Sequence, residues 1–127
     1  MKRILLVEDV VETRDMIEDT LTRLGFEVHS ANDGEDAELF FEAHNYDLVI
    51  TDLMMPNKNG FDFMKEIRKT DEGMPILAIS GGGQLLNADL TTNLAMSYSN
   101  KALKKPFSKK QLIAAIRSLL PQEMASA

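Results

Sequence analysis

Leu48-Val49-Ile50-Thr51-Asp52 decides the fold: a short apolar run, too brief for a helix, leads straight into an acid. Two further runs have the same build. Ile4-Leu5-Leu6-Val7 precedes Glu8-Asp9, and Ile76-Leu77-Ala78-Ile79 precedes Ser80. A continuous apolar run, unlike an alternating one, predicts a strand covered on both faces. Glu27-Val28-His29-Ser30-Ala31 is weaker and reads as a strand nearer an edge. A short last strand is expected at Ala102-Leu103.

Helical spacing fills the gaps. Ile17, Leu21 and Leu24 recur on one face, and Gly25 follows as a stop. Gly34 to His44 carries Ala37, Leu39, Phe40 and Phe41, and Phe61 to Lys69 carries Met64 and Ile67. Leu86, Leu90 and Leu94 suggest a fourth helix. Ser108 is placed to N-cap a last helix with Leu112, Ile116 and Leu119 on one stripe, and Pro121 comes just after it. Alternation of this kind predicts an α/β fold with a parallel sheet and helices on both faces. Right-handed crossovers leave few topologies. The expected one is the flavodoxin-like (βα)5 doubly wound sheet with strand order 2-1-3-4-5.

The chain of 127 residues suits one domain, expected over residues 1–121, with 122–127 as a short tail. Cysteine is absent, which excludes disulfides and thiolate metal sites. No apolar run approaches bilayer length. Glu8 and Asp9 interrupt the apolar stretch after Met1-Lys2-Arg3 too early for a signal peptide, so a cytoplasmic location without membrane insertion is expected. A net charge of −6 and a pI near 4.9 argue against direct nucleic-acid binding. The late basic residues Lys104, Lys109, Lys110 and Arg117 read as a solvated face, from which Lys105 stands apart.

In an open parallel sheet, ligands bind beyond the carboxyl ends of the strands. Glu8 and Asp9 follow the first strand, Asp52 ends the third, Ser80 follows the fourth, and Lys105 follows the last. The topology brings them to one sheet edge. Clustered carboxylates repel unless a cation joins them. Oxygen ligands favour Mg²⁺ over zinc, and His29 and His44 make no metal-ligand spacing. With a divalent ion present, Asp52 could attack phosphorus and become an aspartyl phosphate, with Lys105 and Ser80 meeting the phosphoryl charge. Each residue alone has a bland reading: strand ends for Glu8 and Asp9, a turn acid for Asp52, a loop serine for Ser80, a surface lysine for Lys105. Their joint spacing outweighs those readings.

Leu6-Val7-Glu8-Asp9, Ile50-Thr51-Asp52-Leu53-Met54-Met55-Pro56 with Gly60, Ile79-Ser80 and Lys105-Pro106-Phe107 together resemble the response-regulator receiver family of two-component signalling. The resemblance covers nearly the whole chain. It implies Asp52 as phosphoacceptor. It implies Glu8, Asp9 and Asp52 as Mg²⁺ carboxylates, with the Met54 backbone carbonyl as a further ligand. It implies Ser80 and Lys105 as phosphoryl-engaging groups, and a cis Lys105–Pro106 peptide. The donor it implies is a histidine kinase or a phosphotransfer protein. The chain departs from the family at Ala102, where an aromatic is usual. It departs again at Tyr98-Ser99, where a Gly-Ala pair is usual, and at Gly81-Gly82-Gly83. On that ground, phosphorylation is expected to act by ordering the Gly81–Gly83 loop and the following helix.

The expected function is therefore a single-domain response regulator, not an enzyme in its own right. No length for a DNA-binding or catalytic domain follows Lys105. Output is expected by contact with a downstream protein through the fourth helix, last strand and last helix, or by acting as a phosphate relay or sink. The competing reading is a receiver-fold binding module without phosphotransfer. An aspartyl-nucleophile phosphatase fits worse, since Met54 stands where its second acid belongs. A flavin binder fits worse too, because the first loop offers acids where phosphate-binding hydroxyls are needed.

Overall fold

The computed structural model describes residues 2–53, 60–81 and 98–120. The Met54 carbonyl, the Leu86–Leu94 helix, the Gly82-Gly83 part of the glycine run and the tail lie outside them. A five-stranded parallel sheet is built from β1 (Arg3–Val7), β2 (Glu27–Ala31), β3 (Leu48–Asp52), β4 (Ile76–Ser80) and β5 (Lys101–Lys104), in the order β2-β1-β3-β4-β5. α1 (Val11–Arg23), α2 (Gly34–Ala43), α3 (Gly60–Thr70) and a C-terminal helix (Lys109–Leu119) cover it. This is the expected doubly wound order.

Alternation along each strand divides the core. Leu5, Val7, Val49, Ile76 and Ala78 meet Ala37 of α2 and Phe63, Met64 and Ile67 of α3. Ile4, Leu6, Leu48, Ile50, Leu77 and Ile79 meet Ile17 and Leu21 of α1 and Leu112, Ala115 and Ile116 of the C-terminal helix. Burial on both faces is why β1, β3 and β4 need unbroken apolar runs. β2 and β5 are the outer strands and are less covered, as their sequences suggest.

Local signals fix the helix ends. Gly25 has φ 93°, a conformation that favours glycine. Phe26 N–H donates to the Leu21 carbonyl and Gly25 N–H to that of Thr22, a Schellman stop that seats Phe26 beside Leu21 in the core. Ser108 caps the C-terminal helix through a reciprocal box with Gln111. Gly60 is packed against the end of β3, where an added Cβ would lie 2.2 Å from the Asp52 carbonyl oxygen.

β5 has little apolar burial, and Arg68 helps hold the segment that leads into it. Arg68 donates to the carbonyls of Tyr98, Glu72 and Met74 and to Asn100 Oδ1. Asn100 Oδ1 also accepts from Ile76 N–H. Tyr98 and Ala102 both pack against the first core, and Lys65 Nζ lies 5.8 Å from the Tyr98 ring centre. No helix of the described residues is long and apolar enough to cross a membrane.

Candidate functional site

Parallel pairing aligns the carboxyl ends of the strands. Val7 pairs Thr51, Asp52 pairs Ile79, and Ser80 pairs Lys104. The residue at or after each of these ends therefore reaches one place. Glu8 is fully buried, Asp52 and Ser80 nearly so, and Asp9 is exposed at the rim. One carboxylate oxygen each from Glu8, Asp9 and Asp52 falls within 4.8 Å of the others. Lys105 Nζ stands 2.7 Å from Glu8 Oε1 and 2.9 Å from Asp52 Oδ2. The five residues singled out in the sequence are thus brought together. Met54 lies outside the described residues.

The backbone holds this group in place. Lys105 N–H donates to the Ser80 carbonyl at 2.7 Å, which ties the end of β5 to β4. The Lys105–Pro106 peptide is cis. Glu8 N–H donates to the Ala31 carbonyl, and Leu53 N–H to that of Ile79. Three contributors were not legible in sequence. Val10 N–H donates to Glu8 Oε2 at 3.1 Å. Arg14 reaches the Glu8 carbonyl at 3.5 Å and bonds Asn32, linking two loops. The buried Thr51 hydroxyl donates to the Asp52 carbonyl. All three use backbone atoms of the acids' own strands and loops, and no side-chain pattern announces them.

The electrostatics follow from burial. Desolvation pushes the Glu8 carboxyl up to about 7; contact with Lys105 opposes the shift, and the charge on Asp52 adds to it. Burial works against the Lys105 ammonium, but hydrogen bonds to Glu8 and Asp52 outweigh it, and its pKa is raised. Lys105 therefore stays charged. With Glu8 Oε1 it forms an ion pair at 2.7 Å. Glu8 Oε1 is buried with the lysine as its contact, and Ser80 Oγ is buried without a hydrogen-bond partner among the described residues. Leaving a buried hydroxyl unsatisfied is costly, so it suits a ligand that supplies what the protein does not. A set of three carboxylates this close fits a hard divalent cation such as Mg²⁺. A cleft of about 600 Å³ opens over the acids, walled by Val10, Thr13, Met16 and Phe107.

The family model for the response regulator receiver domain matches residues 4–117. The probable transcriptional regulator ycf27 of Cyanophora paradoxa is 39% identical over 119 residues, covering 94% of this chain and 48% of that protein. The transcriptional regulatory protein CpxR of Klebsiella pneumoniae is 37% identical over 120 residues, covering 94% and 50%. The chain spans about half the length of these curated relatives. Among solved structures, response regulator protein TrrA from Thermotoga maritima in complex with Mg²⁺-BeF is 31% identical with a TM-score of 0.79, covering 94% of this chain and 99% of that one. The chemotaxis response regulator CheY4 of Vibrio cholerae is 27% identical with a TM-score of 0.83, covering 94% and 98%.

Proposed function

Because the chain belongs to the response regulator receiver domain family, we propose that it accepts a phosphoryl group on Asp52 from a histidine kinase or a phosphotransfer protein, with Mg²⁺ as cofactor. The observation that carries the reading is one cluster. Three carboxylate oxygens lie within 4.8 Å of one another, and a lysine ammonium sits 2.9 Å from the acid that would react.

Glu8, Asp9 and Asp52, together with the Met54 carbonyl, would hold the ion. Mg²⁺ bound there supplies charge neutralisation for the acids and for the incoming phosphoryl oxygens. That the TrrA neighbour was solved with Mg²⁺-BeF supports this. An Asp52 oxygen forms the new bond to phosphorus while the bond from phosphorus to the donor imidazole nitrogen breaks, its electron pair staying on nitrogen. The Lys105 ammonium and the Ser80 hydroxyl, which has no hydrogen-bond partner among the described residues, then face the transferred group. The chain's own part is placement and charge, so the protein is a signalling switch that catalyses only its own modification. Output by protein contact follows from a shift between two states of the surface around β5.

The test is intact mass after incubation with Mg²⁺ and acetyl phosphate. Gain of one phosphoryl unit is expected, absent in Asp52→Ala and in chelated samples. A phosphoryl gain that survives in Asp52→Ala overturns the assignment.

A further inference from the structure

The chain has two histidines, remote in sequence, and the fold sets them side by side. His29 stands in the middle of β2, an outer strand, and His44 is the residue that ends α2. α2 packs along β2, so the two ring centres come within 4.8 Å, edge to face at 71°. Phe40 and Tyr46 complete the ring cluster. The Tyr46 hydroxyl lies 2.7 Å from His29 Nδ1, and Glu27 Oε2 lies 3.3 Å from His29 Nε2.

The ordinary explanation is a half-buried histidine satisfied at both nitrogens. It accounts for His29 but not for His44, which is exposed and whose ring no described residue hydrogen-bonds. The distances carry a second meaning. Two imidazoles on one tetrahedral ion, each bound at about 2.0–2.1 Å, have ring centres about 5 Å apart and ligand atoms about 3.3 Å apart. The His29–His44 and His29–Glu27 separations fall at these values. To bind through Nε2, His29 must keep its proton on Nδ1 and give it to an acceptor. Tyr46 is suited to that part. Burial pushes its hydroxyl up to about 12, so it stays neutral, and its oxygen can accept from Nδ1. Arg3 bonds Glu27 and holds its carboxyl below the ordinary value, so the acid is ionised, and its lone pairs outnumber the one guanidinium bond.

We propose that Glu27, His29 and His44 form a second metal site, for a borderline divalent ion of the Zn²⁺ class, with Tyr46 orienting His29. Among the described residues only the acidic pocket already gathers three ligand atoms within 4.8 Å. The histidine site therefore closes on its ion, and exposed His44, at the end of its helix, is the ligand that turns. Imidazole selects zinc-like ions, whereas the oxygen-only pocket of Glu8, Asp9 and Asp52 favours Mg²⁺. The two sites thus sort two kinds of metal. Bound zinc would pin the outer strand β2 to the end of α2. This site stands apart from the phosphoryl chemistry proposed for Asp52.

The test titrates the full chain with ZnCl₂ in saturating Mg²⁺, which keeps the acidic pocket occupied, and follows the histidine ring signals by NMR beside calorimetry. One Zn²⁺ per chain is expected, with the rings of both histidines shifting together and the melting temperature rising with zinc. His44→Ala should weaken zinc binding by at least about tenfold, the order lost when even an outer-shell partner of a metal is removed. Its zinc-free melting temperature should hold, because the position is exposed. Asp52→Ala should bind zinc as the wild type does. Unchanged zinc affinity in His44→Ala, or zinc binding that is lost in Asp52→Ala and leaves the histidine rings unmoved, would overturn the proposal.

Discussion

Lys105 and Asp52 lie 53 positions apart in the chain and 2.9 Å apart in the fold. The same ammonium reaches Glu8 at 2.7 Å. One cation thus separates two buried acids that would otherwise repel. Lys105→Met removes it without removing the acids. In chelator the variant should lose roughly 1–3 kcal/mol of stability, the order of cost for leaving buried polar groups unpaired. Added Mg²⁺ should recover more of that loss than it adds to the wild type, since two acids now lack a counter-charge. Thermal melts with and without Mg²⁺ check this.

Glu8 makes the metal-free protein sensitive to pH. Its folded pKa of about 7 exceeds the ordinary 4.5. Its contribution to stability is therefore fully present below about 4.5 and is lost as pH rises through about 7. In chelator, wild type should lose stability relative to Glu8→Gln across that window. Melting curves of the two proteins that stay parallel over it would count against the burial argument.

Gly60 presses on the strand end that carries Asp52. A Cβ there meets the Asp52 carbonyl oxygen at 2.2 Å and Leu53 Cα at 2.8 Å, both backbone atoms that cannot swing aside. Gly60→Ala should cost about 1–3 kcal/mol through overpacking. It should also slow phosphoryl uptake more than an equally destabilising change in α1, such as Thr20→Val. Denaturant unfolding and uptake rates on both variants make the comparison.

Arg68 ties α3 and the turn before β4 to the entry of β5 through four hydrogen bonds. Arg68→Ala should speed amide exchange of the Asn100 and Lys101–Lys104 backbone more than that of β1 or β3. Uniform acceleration across the sheet would mean that the guanidinium supports the whole fold and has no special hold on this edge.

What was readable in the sequence divides along physical lines. β1, β3 and β4 announced themselves because burial on both faces leaves no place for polar residues. β5 was only hinted at by Ala102-Leu103, since an outer strand flanked by Lys101 and Lys104 has little apolar signal. The acids, Ser80 and Lys105 were legible because a parallel sheet aligns whatever follows its strands. The Val10 N–H on Glu8 was not, because a backbone donor leaves no mark in the side-chain pattern, and the Arg68 clamp was not, because it joins segments about 30 positions apart. Tyr98 could be placed only once the fold set it against the first core.

The central claim is that phosphoryl transfer ends on Asp52, and the most direct measurement locates the modified residue. Protein treated with Mg²⁺ and acetyl phosphate is reduced with borohydride, which converts an aspartyl phosphate to homoserine, and its peptides are weighed. The account predicts homoserine at position 52, absent without Mg²⁺. Homoserine at another acid, or none at 52 in protein whose intact mass shows a phosphoryl group, contradicts it.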